Sequence, residues 1–243
     1  AIGTEALHTQ NFTTATDSLN TAVGYNAGYS VTTGTSNVLI GALTGDSLQT
    51  GGQNVAMGVG AIGSDTQGQT AVAIGHNALA SQNFTTSTSH YNVAVGHSAG
   101  SSVTTGTNNT FVGGLAGDAT DDGDENVAVG RSALSANCGD GNTAVGKDAG
   151  ELITGSNNTV LGKSAGKAIT SGGNNLFLGK DAGLAGSPGG SITTGSNAIV
   201  LGDENIGDAY IQVALTVSSD ERDKTDFVDL DLGLDFVKAL EPV

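Results

Sequence analysis

One glycine returns through this chain at a nearly fixed interval: Gly3, Gly24, Gly41, Gly58, Gly75, Gly96, Gly113, Gly130, Gly146, Gly162, Gly179 and Gly202. Most steps are 16 or 17 residues. A segment that short cannot bury an apolar face of its own. A chain made of such segments folds by stacking each one on the next, as a solenoid. Around the glycine the unit reads N-x-A-V-G-x-x-A-G, as in residues 92–100, followed by a polar stretch and an apolar residue ahead of T-T-G. A longer period overlies the short one. The spacing of Gly3, Gly24, Gly41 and Gly58 recurs 72 residues later from Gly75 to Gly130, and residues 10–14 and 82–86 both read Q-N-F-T-T. This is the pattern left by duplicating a block of four turns.

The residue before each ruler glycine is a larger aliphatic, from Val23 and Ile40 through Met57 and Ile74 to Leu178 and Leu201. Two positions earlier, on the same side of an extended strand, stand Val38, Val55, Val72, Val93, Val127, Leu176 and Ile199, with Thr in the other turns. The opposite side is apolar but mostly small, Ala22, Ala56, Ala73, Ala94, Ala128 and Ala144, interrupted by Leu39, Phe111, Val160, Phe177 and Val200. Both sides of the strand therefore call for burial, whereas one thin solenoid covers only one. Further copies of the chain supply the second cover. A two-sided monomeric solenoid is the alternative. Asparagine opens most strands (Asn20, Asn37, Asn54, Asn92, Asn109, Asn126, Asn142, Asn158, Asn175) and in register forms a ladder of amides along the axis. Glycines such as Gly34, Gly51 and Gly106 close each half-turn after Thr-rich segments that read as a second short strand.

Composition narrows the function. The net charge is −16, and residues 203–243 hold 11 of the 24 acidic side chains against Arg222, Lys224 and Lys238. No basic stripe for phosphates is present, so nucleic acid is not an expected partner. An acidic surface keeps a long fibre soluble. No run approaches the roughly 18 apolar residues of a membrane span, so no membrane insertion is expected. Cys138 is the one cysteine, and the fold is held without an intrachain disulfide. Ala1-Ile2-Gly3 already lies inside a repeat, which leads us to expect that the natural chain begins upstream.

These N-x-A-V-G-x-x-A-G turns resemble the head repeats of trimeric autotransporter adhesins and similar repeats in phage tail fibres. The resemblance covers residues 1–202 and implies a left-handed parallel β-roll in a trimer. The expected fold class is all-β, a repetitive parallel β-solenoid of about 12 turns over residues 1–202 in a parallel homotrimer. A connecting strand over 203–218 and a short α-helical C-terminal segment within 219–243 follow.

That last segment reads S-S-D-E-R-D-K-T-D-F from Ser218 and then G-L-D-F-V-K-A-L-E-P-V to Val243. It is similar to the opening of the endosialidase-type intramolecular chaperone that ends phage tail fibres and spikes. The resemblance implies trimerisation followed by self-cleavage between Ser219 and Asp220, with Ser219 as nucleophile and Lys224 as base. A lysine serves a serine only when neutral, which requires burial away from Asp220, Asp223 and Asp226.

Other candidates lie in loops. Residues 4–20, 76–91, 118–125 and 184–196 form the longer ones, and on a rigid rod such loops carry binding. Phe12, Phe84, His90 and Tyr91 are the candidate contacts to a host cell-surface receptor, glycan or outer-membrane protein. Asp118, Asp121, Asp122 and Asp124 offer carboxylates for a hard cation such as Ca²⁺, although a solvated acidic turn is the plainer reading; no other cofactor is expected. Gly58-Val59-Gly60-Ala61-Ile62-Gly63 matches the dinucleotide fingerprint in letters, but no helix-forming segment follows and the repeat explains each glycine. The function this points to is a structural and adhesive fibre of a virion tail, with a bacterial surface adhesin as the alternative. A polysaccharide-degrading tailspike would need paired carboxylates, and the repeat strands carry none.

Overall fold

Residues 1–208 are described by a computed structural model; the self-cleavage pair Ser219 and Lys224 and the expected C-terminal helix lie outside the described residues. Within 1–208 the chain is a parallel β-solenoid without helices. Its strands are β1 (Thr21–Val23), β2 (Val38–Ile40), β3 (Val55–Met57), β4 (Gly68–Gln69), β5 (Val72–Ile74), β6 (Thr88–Ser89), β7 (Val93–Val95), β8 (Thr110–Val112), β9 (Val127–Val129), β10 (Thr143–Val145), β11 (Thr159–Leu161), β12 (Leu176–Leu178) and β13 (Ile199–Leu201). Eleven of them form one parallel sheet, each three-residue strand pairing the next in the same register; only β4 and β6 stand apart, as a second small sheet. A bridge from Ile2 to Val23 continues the stack at its start. At about 4.8 Å per rung the sheet is roughly 50 Å long.

The ruler glycine ends every strand of the main sheet for a steric reason. From Gly3 to Gly162 its φ lies between 133° and 144°, a conformation essentially confined to glycine. A Cβ on Gly113 would lie 2.6 Å from the Gly130 carbonyl oxygen of the next turn, and one on Gly130 2.5 Å from that of Gly146. The glycines thus stack directly on one another, leaving no room for a side chain at the corner.

The other corners are turned by residues at positive φ, 24 of them not glycine, chiefly just before the ladder asparagine and two residues after the ruler. Each is strained. Hydrogen bonds to the neighbouring turns hold them there, as Leu43 N to Tyr25 O at 2.9 Å and Ser98 N to His76 O at 2.9 Å illustrate.

Inside the roll, large and small residues alternate between columns. The strand centres Leu39, Phe111, Val160 and Phe177 fill the space over Gly45, Gly117, Gly166 and Gly183, whose missing side chains make room for them. Where that glycine is replaced by Ile62, Leu79 or Leu134, the preceding strand centre is alanine: Ala56, Ala73 and Ala128, all fully buried. The apparent interruptions in the small face are therefore volume compensation within a close-packed interior.

Two expectations need correction. The Thr-rich halves are not strands beyond the single β4–β6 pair. Asn side chains and isolated backbone bonds hold those halves together instead, because their carbonyls are taken up by amides at the corners. Residues 203–208 contain a turn at Glu204 and Asn205 but no strand, and the rest of the expected connecting strand lies outside the described residues.

Candidate functional surface

The strand centres are 0 to 4% exposed, so the small face lies inside the roll and the larger aliphatics point outward. Their two rows flank the centres: Val38, Val55, Val72 and their equivalents on one side, and Ile40, Met57, Ile74 and their equivalents on the other. Met57, Ile74, Val112 and Val129 are each more than a third exposed, and Leu161 and Leu201 about half. The stripe runs along all eleven rungs, varied only by threonines in the first row. At about 50 Å by 10 Å it covers on the order of 500 Å², the upper range of the largest apolar patch on a single chain, where such patches are often functional. Covering it would remove roughly 12 kcal/mol of apolar exposure per chain.

One edge of this face is set by the asparagine ladder. The Oδ1 of each asparagine accepts the backbone N–H of its successor, for example Asn109 N to Asn92 Oδ1 at 3.0 Å and Asn126 N to Asn109 Oδ1 at 2.9 Å. Except at Asn126, whose buried Nδ2 has no partner, its Nδ2 donates to the half-turn glycine carbonyl above, as Asn54 does to Gly68 O at 3.0 Å and Asn109 to Gly123 O at 2.8 Å. Asparagine alone suits the position: an acceptor and a donor on one short, buried side chain.

The ladder lapses at Ala71, where the interior changes, and again at Ala198 ahead of β13. The column occupied in neighbouring turns by Val31, Leu48 and Val103 holds Asp65 and Gln82. Gln82 Nε2 donates to Asp65 Oδ2 at 2.7 Å and lies 3.0 Å from His90 Nε2; Asn92 Nδ2 donates to Gln82 Oε1 at 3.0 Å. Asp65 Oδ1 also accepts the N–H of Gly68 at 2.9 Å and of Phe84 at 3.1 Å. Phe84 stacks on His90 at 4.8 Å. Burial lowers the His90 pKa to about 4, holding the ring neutral. Burial also raises that of Asp65, against the opposing hydrogen bonds from Gln82, Gly68 and Phe84.

Phe84 and His90 are therefore not receptor contacts. They are 7% and 0% exposed, because the four extra residues of their turn fold back over the polar gap left by Asp65 and Gln82. Of the loop candidates, Tyr91 is 60% exposed and Phe12 partly buried. The carboxylates of Asp118, Asp121, Asp122 and Asp124 do not converge: among the described residues no group of three or more His, Cys, Asp or Glu side chains is placed to hold a metal ion. Asp121 and Asp124 serve the stack instead. Asp121 accepts from Thr104 Oγ1, and Asp124 Oδ1 accepts from Thr107 N at 2.6 Å and Oγ1 at 2.9 Å. Burial raises the pKa of Asp118.

Stacking also creates columns that single loops do not reveal. His76 and His97 stack at 5.3 Å, and His8 stacks on Tyr29 at 5.2 Å. The residue after the ruler glycine is basic in four successive turns, Arg131, Lys147, Lys163 and Lys180, all exposed. Among the described residues no helix is long and apolar enough to cross a membrane. Comparison with known protein families, curated proteins and solved structures finds no match.

Proposed function

We propose that this chain is a subunit of a homotrimeric fibre, a phage tail fibre in its favoured setting, whose rod presents loops to a host cell surface. The observation that carries this reading is the outward aliphatic stripe: along eleven rungs the apolar side chains that flank the buried strand centres stay partly exposed. A solitary soluble rod gains nothing from that arrangement, whereas chains packed stripe to stripe bury it. The resemblance of residues 1–202 to adhesin heads, and of the C-terminal stretch to a self-releasing chaperone, supports the same assembly. The trimer then carries three copies of each loop, and avidity turns weak contacts at exposed residues such as Tyr91 into attachment.

Binding of fluorescent protein to bacterial cells and to arrayed surface glycans tests the function. Wild type should bind, while Ile74→Lys combined with Val95→Lys, which charges the stripe, should lose avidity together with assembly. Equal binding by a fully monomeric variant would refute the multivalent fibre. Ser219→Ala should keep the C-terminal segment attached if Ser219 is the nucleophile.

A further inference from the structure

Stacking assembles a short basic column that the linear sequence disperses. Every lysine and arginine among the described residues lies between positions 131 and 180. Four of them, Arg131, Lys147, Lys163 and Lys180, follow the ruler glycines just past β9, β10, β11 and β12, and the pairing of those strands sets them one above another. At about 4.8 Å per rung the column is roughly 14 Å long, and all four residues are exposed. Lys167 joins the same wall: its Nζ lies 3.9 Å from the Asp148 carboxylate, which Arg131 and Lys147 approach at 4.0 and 3.4 Å. Three cations thus share that carboxylate, while Glu151 pairs with Lys167 and Asp181 with Lys180. Lys163 makes no ion pair with any described residue. Positive charge is in surplus on this wall and nowhere else along the described rod.

We propose that the column binds an anionic polysaccharide, one with carboxylates on successive sugars, laid along the rod axis. This rests on the fibre reading above and adds to it the class of ligand. An extended chain of charged sugars presents its anions in a line at a repeating interval, and the stacked rungs present cations the same way, so one contact brings its neighbours into register. Asp148 and Asp181, set among the cations, accept hydrogen bonds but donate none. Sugar hydroxyls satisfy them, whereas a polymer bearing anions alone is repelled. Each exposed ion pair contributes little, so attachment comes from several contacts to one polymer and from the several copies in a fibre. Gly114 marks where the column stops. It holds the same position one turn before Arg131, and a Cβ there would meet only the His97 carbonyl oxygen, at 4.0 Å.

The test measures binding of polygalacturonate, a polymer of carboxylated sugars, to the immobilised 243-residue chain, with circular dichroism to establish that each variant keeps its β signal. Wild type should bind, and raising the salt from 0.05 to 0.5 M should weaken binding because the column is exposed to solvent. Lys147→Gln with Lys163→Gln should lose at least about tenfold in affinity, and Gly114→Lys, which extends the column by one rung, should gain about threefold. Polyglutamate, which has the carboxylates without the hydroxyls, should bind more weakly. No binding by wild type, or equal binding by the folded double variant, overturns the column as a site; equal binding of polyglutamate overturns the sugar as its ligand. Sedimentation of the same samples keeps the two readings apart. An assembled wild type that ignores polygalacturonate refutes the site and leaves the fibre, while a monomer that binds it through Lys147 and Lys163 keeps the site and removes the fibre.

Discussion

Asn109→Ala isolates one rung of the amide ladder. The side chain is fully buried; its Oδ1 accepts Asn126 N–H at 2.9 Å and its Nδ2 donates to Gly123 O at 2.8 Å. Truncation leaves one donor and one acceptor, both buried, without a partner. At roughly 1 to 3 kcal/mol each the loss is about 2 to 6 kcal/mol, nearer the lower end if water enters the space. Asn108→Ala, one residue earlier, is the matched control. That residue is exposed, sits at φ 59° and its side chain bonds only Thr107 Oγ1 at 3.2 Å, so its loss should stay within about 1 kcal/mol. Asn109→Asp keeps the acceptor but turns a second acceptor toward Gly123 O, and at neutral pH should be worse than alanine. Urea unfolding followed by circular dichroism reads all three. Equal midpoints for Asn109→Ala and Asn108→Ala would show that the ladder carries no stability and would refute the reasoning.

Three further outcomes follow from the same geometry. Gly113→Ala should abolish folding or cost several kcal/mol, because its Cβ would meet the Gly130 carbonyl at 2.6 Å in a backbone at φ 136°; a melting temperature close to wild type would overturn the stacked-glycine account. Phe111→Ala empties the space over Gly117 and should cost about 3 to 5 kcal/mol in the same urea experiment, with a loss below about 1 kcal/mol counting against a packed interior. His90 has a folded pKa of about 4 against an ordinary 6.5, so its stability contribution is complete above the unfolded value, falls as pH drops through that window and levels off below about 4. Linkage puts the loss at about 2 kcal/mol between pH 7 and 5. Asp65, with its pKa raised, works the other way: it contributes below the unfolded carboxylate value and loses that contribution as pH rises through its folded pKa. Comparing wild type with His90→Gln over pH 5 to 7 separates the two, and identical slopes would rule out the buried neutral ring.

Much of the fold was legible because repetition tests each position many times. The ruler glycine, the aliphatic before it and the opening asparagine recur in turn after turn, so strand, corner and ladder could be placed from spacing alone. Which strand face lies inside could not, since both are apolar. The structure buries the strand centres, small and large, together with Ala61, Ala99 and Ala133, and leaves the flanking aliphatics partly exposed. The second strand failed because the turn carbonyls are met by Asn54, Asn92 and Asn109 amides instead of a continuous sheet. His90 and Phe84 looked like surface residues because their loop is long. A signal was present in Asp65 and Gln82, polar residues in adjacent turns at a position held elsewhere by Val31, Leu48, Val103, Ile153 and Ile169, which demanded a polar partner from elsewhere. The basic column Arg131, Lys147, Lys163 and Lys180 likewise emerges only when successive turns are set in register.

The central claim is that the outward stripe is covered by further copies of the chain. Sedimentation equilibrium of the purified protein tests it most directly. The account predicts a species of three times the 23.8 kDa chain that dissociates in the Ile74→Lys and Val95→Lys variant. A wild-type protein that remains a monomer, with Met57, Ile74 and Leu161 exposed to water at every concentration, would contradict it.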